Sequence, residues 1–215
     1  MIMQRFLYRV LRNSLAIGLL WMSLSSTAQA REHTILVLGD SISAAYGMSL
    51  DKGWVALMAA QLAKEHPQYA VVNASISGET TAGGLRRLPQ LLEQHEPRLV
   101  IIELGANDGL RGYPLGTLRG NLMALVEASK QAGASVILLP MEIPPNYGAR
   151  YTSGFRQSFV QVAGESGIVL APFVMDGVAT DPALKQADGI HPTAAAQPKL
   201  LDNVLPTVID VLAQL

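Results

Sequence analysis

Five short apolar runs, separated by helical patterns, constrain the fold of this chain more than any other feature. They predict strands at residues 34–39, 69–73, 99–104, 135–140 and 168–170. Between the strands, apolar residues recur at helical spacing over residues 54–62, 85–92, 118–126 and 155–163. Strands that are apolar throughout and alternate with helices imply a parallel sheet covered on both faces. The sequence therefore predicts an open α/β sandwich of about five strands, with ligands bound beyond their carboxyl ends.

The end of the chain predicts one further helix, over residues 194–212. Pro198 and Pro206 lie inside this segment. Because proline removes a backbone donor and crowds the preceding turn, the helix is expected to be interrupted near both positions.

The first thirty residues are predicted to be a secretory signal peptide. Three arginines without any acid precede an uncharged apolar stretch, and Ala-Gln-Ala at residues 28–30 fits a signal-peptidase site. The apolar stretch is about 11 residues long, short of the ~20 needed to span a bilayer, although a retained anchor is the alternative. Cleavage after Ala30 leaves one domain over residues 31–215, periplasmic in a host with two membranes and secreted otherwise.

Charge and cysteine content exclude several classes of function. The net charge of −1 at pH 7 becomes −4 when the three arginines leave with the signal peptide, and a mildly acidic domain lacks the electrostatic footprint of a nucleic-acid-binding protein. The chain has no cysteine, which excludes thiol catalysis and thiolate metal sites. No other segment predicts a membrane span, and no association motif is present, so a monomer is expected.

Ser41, Asp188 and His191 are the residue types of a serine hydrolase. Ser41 follows the first strand in Gly39-Asp40-Ser41, and a serine needs an imidazole to take its proton and a carboxylate to orient that imidazole. One loop can deliver Asp188 to the imidazole Nδ1 and His191 Nε2 to the hydroxyl. Each residue also has a plainer interpretation: Ser41 as a helix cap, Asp188 as a turn residue and His191 as a helix-start residue.

Gly78 and Asn107 follow the second and third strands. If those strands are parallel neighbours, the backbone amides of Ser41 and Gly78 and the Asn107 side chain can surround one oxyanion. The alternatives are an ordinary turn glycine and an Asn-Asp-Gly turn. Asp40 and Asp108 are also candidates for a carboxylate pair or metal site, but turn and supporting roles are favoured because no histidine or further acid clusters with them.

The four blocks Gly39-Asp40-Ser41, Gly78, Gly105-x-Asn107-Asp108 and Asp188-x-x-His191 together resemble the SGNH (GDSL) hydrolase family. Within it, longer stretches such as Glu103–Gly112 look like the periplasmic group of multifunctional thioesterases, lysophospholipases and arylesterases. One departure is Ile42, where the GDSL motif has leucine.

The resemblance implies a flavodoxin-like three-layer α/β/α sandwich with five parallel strands. It implies Ser41 as the nucleophile, Asp188 and His191 as its triad partners, and Ser41, Gly78 and Asn107 as the oxyanion hole. It also implies a mobile loop, from residue 105 to about residue 113, that adjusts to acyl chains.

The expected function is hydrolysis of acyl esters and thioesters, as small-molecule substrates, through an acyl-enzyme and without metal or organic cofactor. Apolar loop residues are candidates for an acyl groove, with ordinary loop packing as the alternative: Leu110, Tyr113, Pro114, Met141, Ile143, Pro144 and Tyr147. Two other functions stay open: carbohydrate O-deacetylation by the same chemistry, and a non-catalytic exported binding module.

Overall fold

The central sheet has five parallel strands. In the computed structural model, which describes residues 33–215, they run in the spatial order β2-β1-β3-β4-β5. Their bounds are β1 His33–Gly39, β2 Tyr69–Asn73, β3 Pro97–Glu103, β4 Ser135–Leu138 and β5 Val169–Leu170. This is the flavodoxin-like strand order. The predicted α/β sandwich and its five strands are therefore confirmed.

Six α-helices cover the two faces of the sheet within the described residues. Their bounds are α1 Trp54–Glu65, α2 Thr81–His95, α3 Ala106–Leu110, α4 Leu115–Gln131, α5 Ala149–Ser166 and α6 Gln197–Leu212. Helices α1 and α6 pack together, while α4 packs between α2 and α5. The strands are thus enclosed between two helical layers, which is why their apolar runs do not alternate with polar residues.

The core follows the middle of the sheet. The side chains of residues 35–38 in β1 and 99–102 in β3 are fully buried. Strand β2 lies at one edge of the sheet and is only half-buried. Because β1 and β3 are central neighbours, the loops that follow them emerge side by side at the carboxyl edge.

The predicted helix over residues 194–212 is divided just before Pro198, but the prediction of an interruption near Pro206 is wrong. Residues 194–196 form a separate 3-10 turn, and α6 then runs without a break from Gln197 to Leu212. Pro198 lies in the first turn of α6, where a missing N–H costs nothing. Pro206 lies inside the helix, but Val204 and Val208 on either side are fully buried, so packing holds the helix together despite the proline.

The segment expected as a loop from residue 105 to 113 begins with a helix. Residues Ala106–Leu110 form α3, and the chain turns at Arg111 and Gly112. Sequence favoured a turn because Asn-Asp-Gly is strong turn chemistry.

The signal-peptide prediction lies outside the described residues. Among residues 33–215, no helix combines the length and apolarity that crossing a membrane requires.

Candidate active site

Ser41 begins the turn that follows β1. Asp40, not Ser41, caps this turn, because Asp40 Oδ1 accepts the Ile42 N–H at 3.0 Å. A short 3-10 helix over Leu50–Lys52 comes first, and the first α-helix after the strand starts only at Trp54. The alternative in which Ser41 caps that helix is therefore excluded, and the Ser41 hydroxyl bonds elsewhere.

A chain of two hydrogen bonds joins Ser41, His191 and Asp188. His191 Nε2 lies 2.8 Å from Ser41 Oγ, and His191 Nδ1 lies 2.6 Å from Asp188 Oδ2. With Nδ1–H donating to the carboxylate, Nε2 is left with a lone pair for the serine proton. The arrangement can therefore activate the Ser41 hydroxyl as a nucleophile.

Asp188 is held ionised by its hydrogen bonds. The bond to the His191 ring, and then the backbone amides of Ile190 and His191 on Oδ1, lower the pKa of Asp188 to about 2. The same three bonds fix the carboxylate relative to the imidazole. A charged Asp188 thus orients His191 throughout the neutral pH range.

Gln186 and Tyr46 hold the histidine loop against the serine turn, and sequence reasoning missed both. Gln186 Nε2 donates to the carbonyl oxygens of Tyr46 at 2.7 Å and Pro192 at 3.0 Å. The Tyr46 ring lies over the His191 ring, with centroids 4.2 Å apart. No short motif signals the two contacts of Tyr46, because Gln186 and His191 lie 140 positions or more further along the chain.

Asn107 lies on α3 and contacts the serine turn. Its side-chain Nδ2 donates one hydrogen bond to Asp40 Oδ2 at 3.2 Å, which leaves the second N–H for a ligand. Asp108 next to it faces away and binds Thr81 at the start of α2, through Oγ1 at 2.6 Å and the amide at 2.9 Å. Asp40 and Asp108 therefore do not form a pair, and within residues 33–215 no cluster suits a metal ion.

Gly78 lies in the loop after β2 with a φ of 78°. This left-handed conformation favours glycine. Arg111, just after α3, donates to the Gly78 carbonyl oxygen at 3.0 Å, so the loop is tied to the segment that carries Asn107. Within the described part of the chain, the backbone N–H groups of Ser41 and Gly78 have no hydrogen-bond acceptor. Both are therefore available to donate to a ligand.

A buried pair of acids lies directly behind Ser41. Asp40 is 1% exposed and Glu103, at the end of β3, is 0% exposed. Burial raises the pKa of Glu103 well above its usual range, and the charge of Asp40 raises it further. Burial also raises the pKa of Asp40 to about 6, against the lowering effects of the Ile42 amide and His191. Sequence reasoning did not identify Glu103, which reads as one polar residue in an apolar strand.

An apolar cavity of about 410 Å³ lies beside the turn with Ser41, the helix with Asn107 and the loop with His191. Ile42, Ala106 and Ile190, the sequence neighbours of Ser41, Asn107 and His191, form part of its wall. Of the predicted groove residues, the structure brings four to this cavity: Leu110, Met141, Ile143 and Pro144. Sequence reasoning missed the other apolar members of the wall: Ile42, Ala106, Pro145, Phe173, Met175, Ala179 and Ile190.

Tyr113, Pro114 and Tyr147 do not line the cavity. All three are exposed, and Tyr147 Oη donates to the Leu110 carbonyl at 2.8 Å. Tyr147 therefore contacts the end of α3 outside the cavity. The carbonyl oxygen of Tyr113 accepts a similar hydrogen bond from Tyr151 Oη at 2.7 Å.

Comparison with known proteins decides the family. A sequence model of the GDSL-like lipase/acylhydrolase family matches residues 37–197. The esterase TesA of Pseudomonas aeruginosa is 51% identical over 186 residues, which cover 86% of this chain and 92% of that protein. The chain belongs to the SGNH (GDSL) hydrolases. As the resemblance predicted, this SGNH chain is a hydrolase.

Two further relatives are similar to this SGNH hydrolase. Thioesterase 1/protease 1/lysophospholipase L1 of Escherichia coli is 43% identical, over 85% of this chain and 86% of that protein. A crystal structure of the psychrotrophic esterase EstA from Pseudoalteromonas, inhibited by monoethylphosphonate, is 46% identical with a TM-score of 0.81. That match covers 84% of this chain and 99% of the other, so the shared fold spans nearly the whole of EstA.

Proposed function

We propose that this SGNH hydrolase is an exported serine esterase that cleaves acyl esters and thioesters through an acyl-enzyme. The observation that carries the proposal is that Ser41, His191 and Asp188 are joined by hydrogen bonds and lie beside an apolar cavity. The names of its relatives, esterase TesA and thioesterase 1, support the same class of substrate.

In the first half-reaction, His191 Nε2 removes the Ser41 proton as Oγ attacks the acyl carbonyl carbon. The carbonyl oxygen becomes an oxyanion, and the amides of Ser41 and Gly78 and the Nδ2 of Asn107 donate to it. Each such donor is worth about 2.7–4 kcal/mol to the barrier. The imidazolium, stabilised by Asp188, then gives its proton to the alcohol or thiol as that group leaves.

In the second half-reaction, water takes the place of the leaving group. His191 deprotonates the water, which attacks the acyl-serine carbonyl, and the collapse of the second tetrahedral intermediate returns the proton to Ser41 Oγ. The carboxylic acid product then departs. The same imidazole therefore serves as base and acid in both halves.

The acyl chain would lie in the cavity formed by Leu110, Met141, Ile143, Phe173 and Met175. The apolar character of this wall favours a hydrocarbon chain over a sugar. Lys185, Glu142 and Thr180 also line the cavity, so its wall carries a few polar side chains among the apolar ones.

The test is Ser41→Ala, assayed with p-nitrophenyl butyrate and with a fluorophosphonate label. The wild-type chain should be labelled at Ser41 and hydrolyse the ester, and the variant should do neither while keeping its circular dichroism spectrum. Wild-type activity in the variant would refute the proposal. A folded wild-type protein that takes no label would instead indicate a binding module.

Substrate class is tested on the wild-type protein. We expect p-nitrophenyl esters and acyl thioesters of medium chain length to be cleaved faster than acetylated sugars. Preference for acetylated sugars would contradict the acyl-chain assignment and favour a carbohydrate O-acetylesterase. Export is tested separately, by amino-terminal sequencing of the protein recovered from the producing cells, which should begin at Arg31.

A further inference from the structure

Glu103 is a fully buried acid without a role in the reaction steps above. Its Oε2 accepts two hydrogen bonds, from the Asp40 amide at 3.2 Å and from Ser43 Oγ at 2.7 Å. Its Oε1 has no hydrogen-bond partner among the described residues. Because an unpaired buried charge is costly, and no ion pair within residues 33–215 includes Glu103, the neutral acid is the stable form.

The hydrogen bonds of Asp40 fit the opposite protonation state. Asp40 Oδ1 accepts the Ile42 N–H, and Asp40 Oδ2 accepts one N–H of Asn107. Both partners are donors, and an ionised carboxylate satisfies both of them because each of its oxygens accepts and neither has to donate. The hydrogen-bond pattern therefore assigns the negative charge to Asp40 and the proton to Glu103.

The orientation of Asn107 depends on this assignment. The two ends of an amide side chain have nearly the same shape, so its neighbours decide which end faces the ligand. An ionised Asp40 can only accept hydrogen bonds, so it binds the NH₂ group of Asn107 and leaves the second N–H of that group for the ligand. A protonated Asp40 would instead donate to Oδ1, and the amide would turn its acceptor toward the oxyanion.

We propose that Glu103 is a positioning residue: it carries the proton of a buried acid pair, so that Asp40 stays ionised and holds Asn107 as an oxyanion donor. The inference rests on the proposed function, because it needs an oxyanion at Asn107. Three titratable groups from different segments interact here: Asp40 after β1 and Glu103 at the end of β3 act on each other, and His191, on the loop before α6, acts on Asp40.

The first test compares Glu103→Gln with Glu103→Leu. Glutamine resembles a protonated glutamate and keeps an acceptor for the Asp40 amide and Ser43, so kcat should stay within about threefold of wild type. Leucine has a similar volume but no acceptor, so kcat should fall toward the ~10²–10³-fold loss of one oxyanion donor, with KM little changed. Ser129→Ala, which removes a fully buried hydroxyl in α4 that donates to Leu125, controls for burial and should keep wild-type kcat.

The outcome that overturns the proposal is a glutamine variant, folded by circular dichroism, whose kcat falls as far as that of the leucine variant. Glu103 would then act as an anion or as packing only. Failure of the proposed function looks different: Ser41 of the wild-type enzyme would take no fluorophosphonate, whatever residue stands at position 103.

The second test does not need the leucine variant to fold. Asp40→Asn puts an NH₂ group where a carboxylate oxygen stood and should turn the Asn107 amide, so kcat should fall about as far as in Asn107→Ala. If Asp40 acts through Asn107, adding Asp40→Asn to Asn107→Ala should lower kcat little further. Equal losses in both backgrounds would refute the link between Asp40 and Asn107.

Discussion

Replacing Asp40 with asparagine should change how the stability of the fold depends on pH. Burial raises the pKa of Asp40 from 3.8 to about 6, so the folded protein holds a proton that the unfolded chain releases earlier. The resulting stability is fully present below about pH 3.8 and is lost as pH rises through about 6. That pKa difference corresponds to about 2–3 kcal/mol of unfolding free energy.

The measurement is urea unfolding of the wild type and of Asp40→Asn at pH 4 and pH 7, followed by circular dichroism and by the fluorescence of the fully buried Trp54. The raised pKa of Glu103 acts in the same direction in both proteins, so both should lose stability over this range, and the wild type should lose about 2–3 kcal/mol more than the variant. Each protein is compared with itself, so any constant cost of the substitution cancels. The lowered pKa of Asp188, about 2, acts in the opposite direction but mainly below pH 4.

Two results would refute this reasoning. If the wild type is at least as stable at pH 7 as at pH 4, Asp40 carries no raised pKa in the fold. If the asparagine variant loses as much stability as the wild type, the loss comes from another group. Glu103, whose pKa is also raised, would then be the first residue to examine by the same comparison.

Three further predictions concern the turn and loop that meet at Ser41. Gly39→Ala should lower stability by about 1–3 kcal/mol, because its Cβ would lie 2.7 Å from Glu103 Oε2. The control is Gly164→Ala in α5, where no atom lies within 4 Å of the added Cβ, and its melting temperature should be equal to that of the wild type or higher. Equal shifts in the two variants would contradict the steric argument. Asp188→Asn should lower kcat by about 10⁴-fold in ester hydrolysis, and a loss below about tenfold would show that the carboxylate does not orient His191. Tyr46→Ala should lower kcat because the ring that packs on His191 is lost, whereas Tyr46→Phe keeps the ring; equal rates in the two variants would remove Tyr46 from the site.

The strands and most helices were predictable because their signal is local. A buried parallel strand must be apolar on both faces, and residues 35–38 and 99–102 show this directly in the sequence. The continuous α6 and the short α3 were not predictable, because in both cases tertiary packing overrides a local tendency. Pro206 favours a break and Asn107 favours a turn, but both lie in helices that the core holds in place.

The candidate site divides in the same way. Ser41, Gly78 and Asn107 each follow a strand, so the rule that parallel strands end at one edge predicted that they lie at the same edge of the sheet. The loop with Asp188 and His191 follows no such rule and was expected there only because a serine nucleophile needs an imidazole and a carboxylate. The contacts of Gln186, Tyr46 and Glu103 follow no such rule. They depend on the distance between side chains that lie far apart in the chain, and those distances exist only after folding.

The sequence by itself determined the parallel sheet, the family and the residue types that can perform acyl transfer, because periodicity and short motifs are properties of neighbouring residues. The tertiary structure alone decided that β1 lies beside β3, that His191 reaches Ser41, and that Asp40 and Glu103 are buried together without a cation. The physical reason is that burial and proton sharing depend on which surfaces meet. One acid in β3 and one after β1 become a coupled pair only because the sheet places the ends of those two strands side by side.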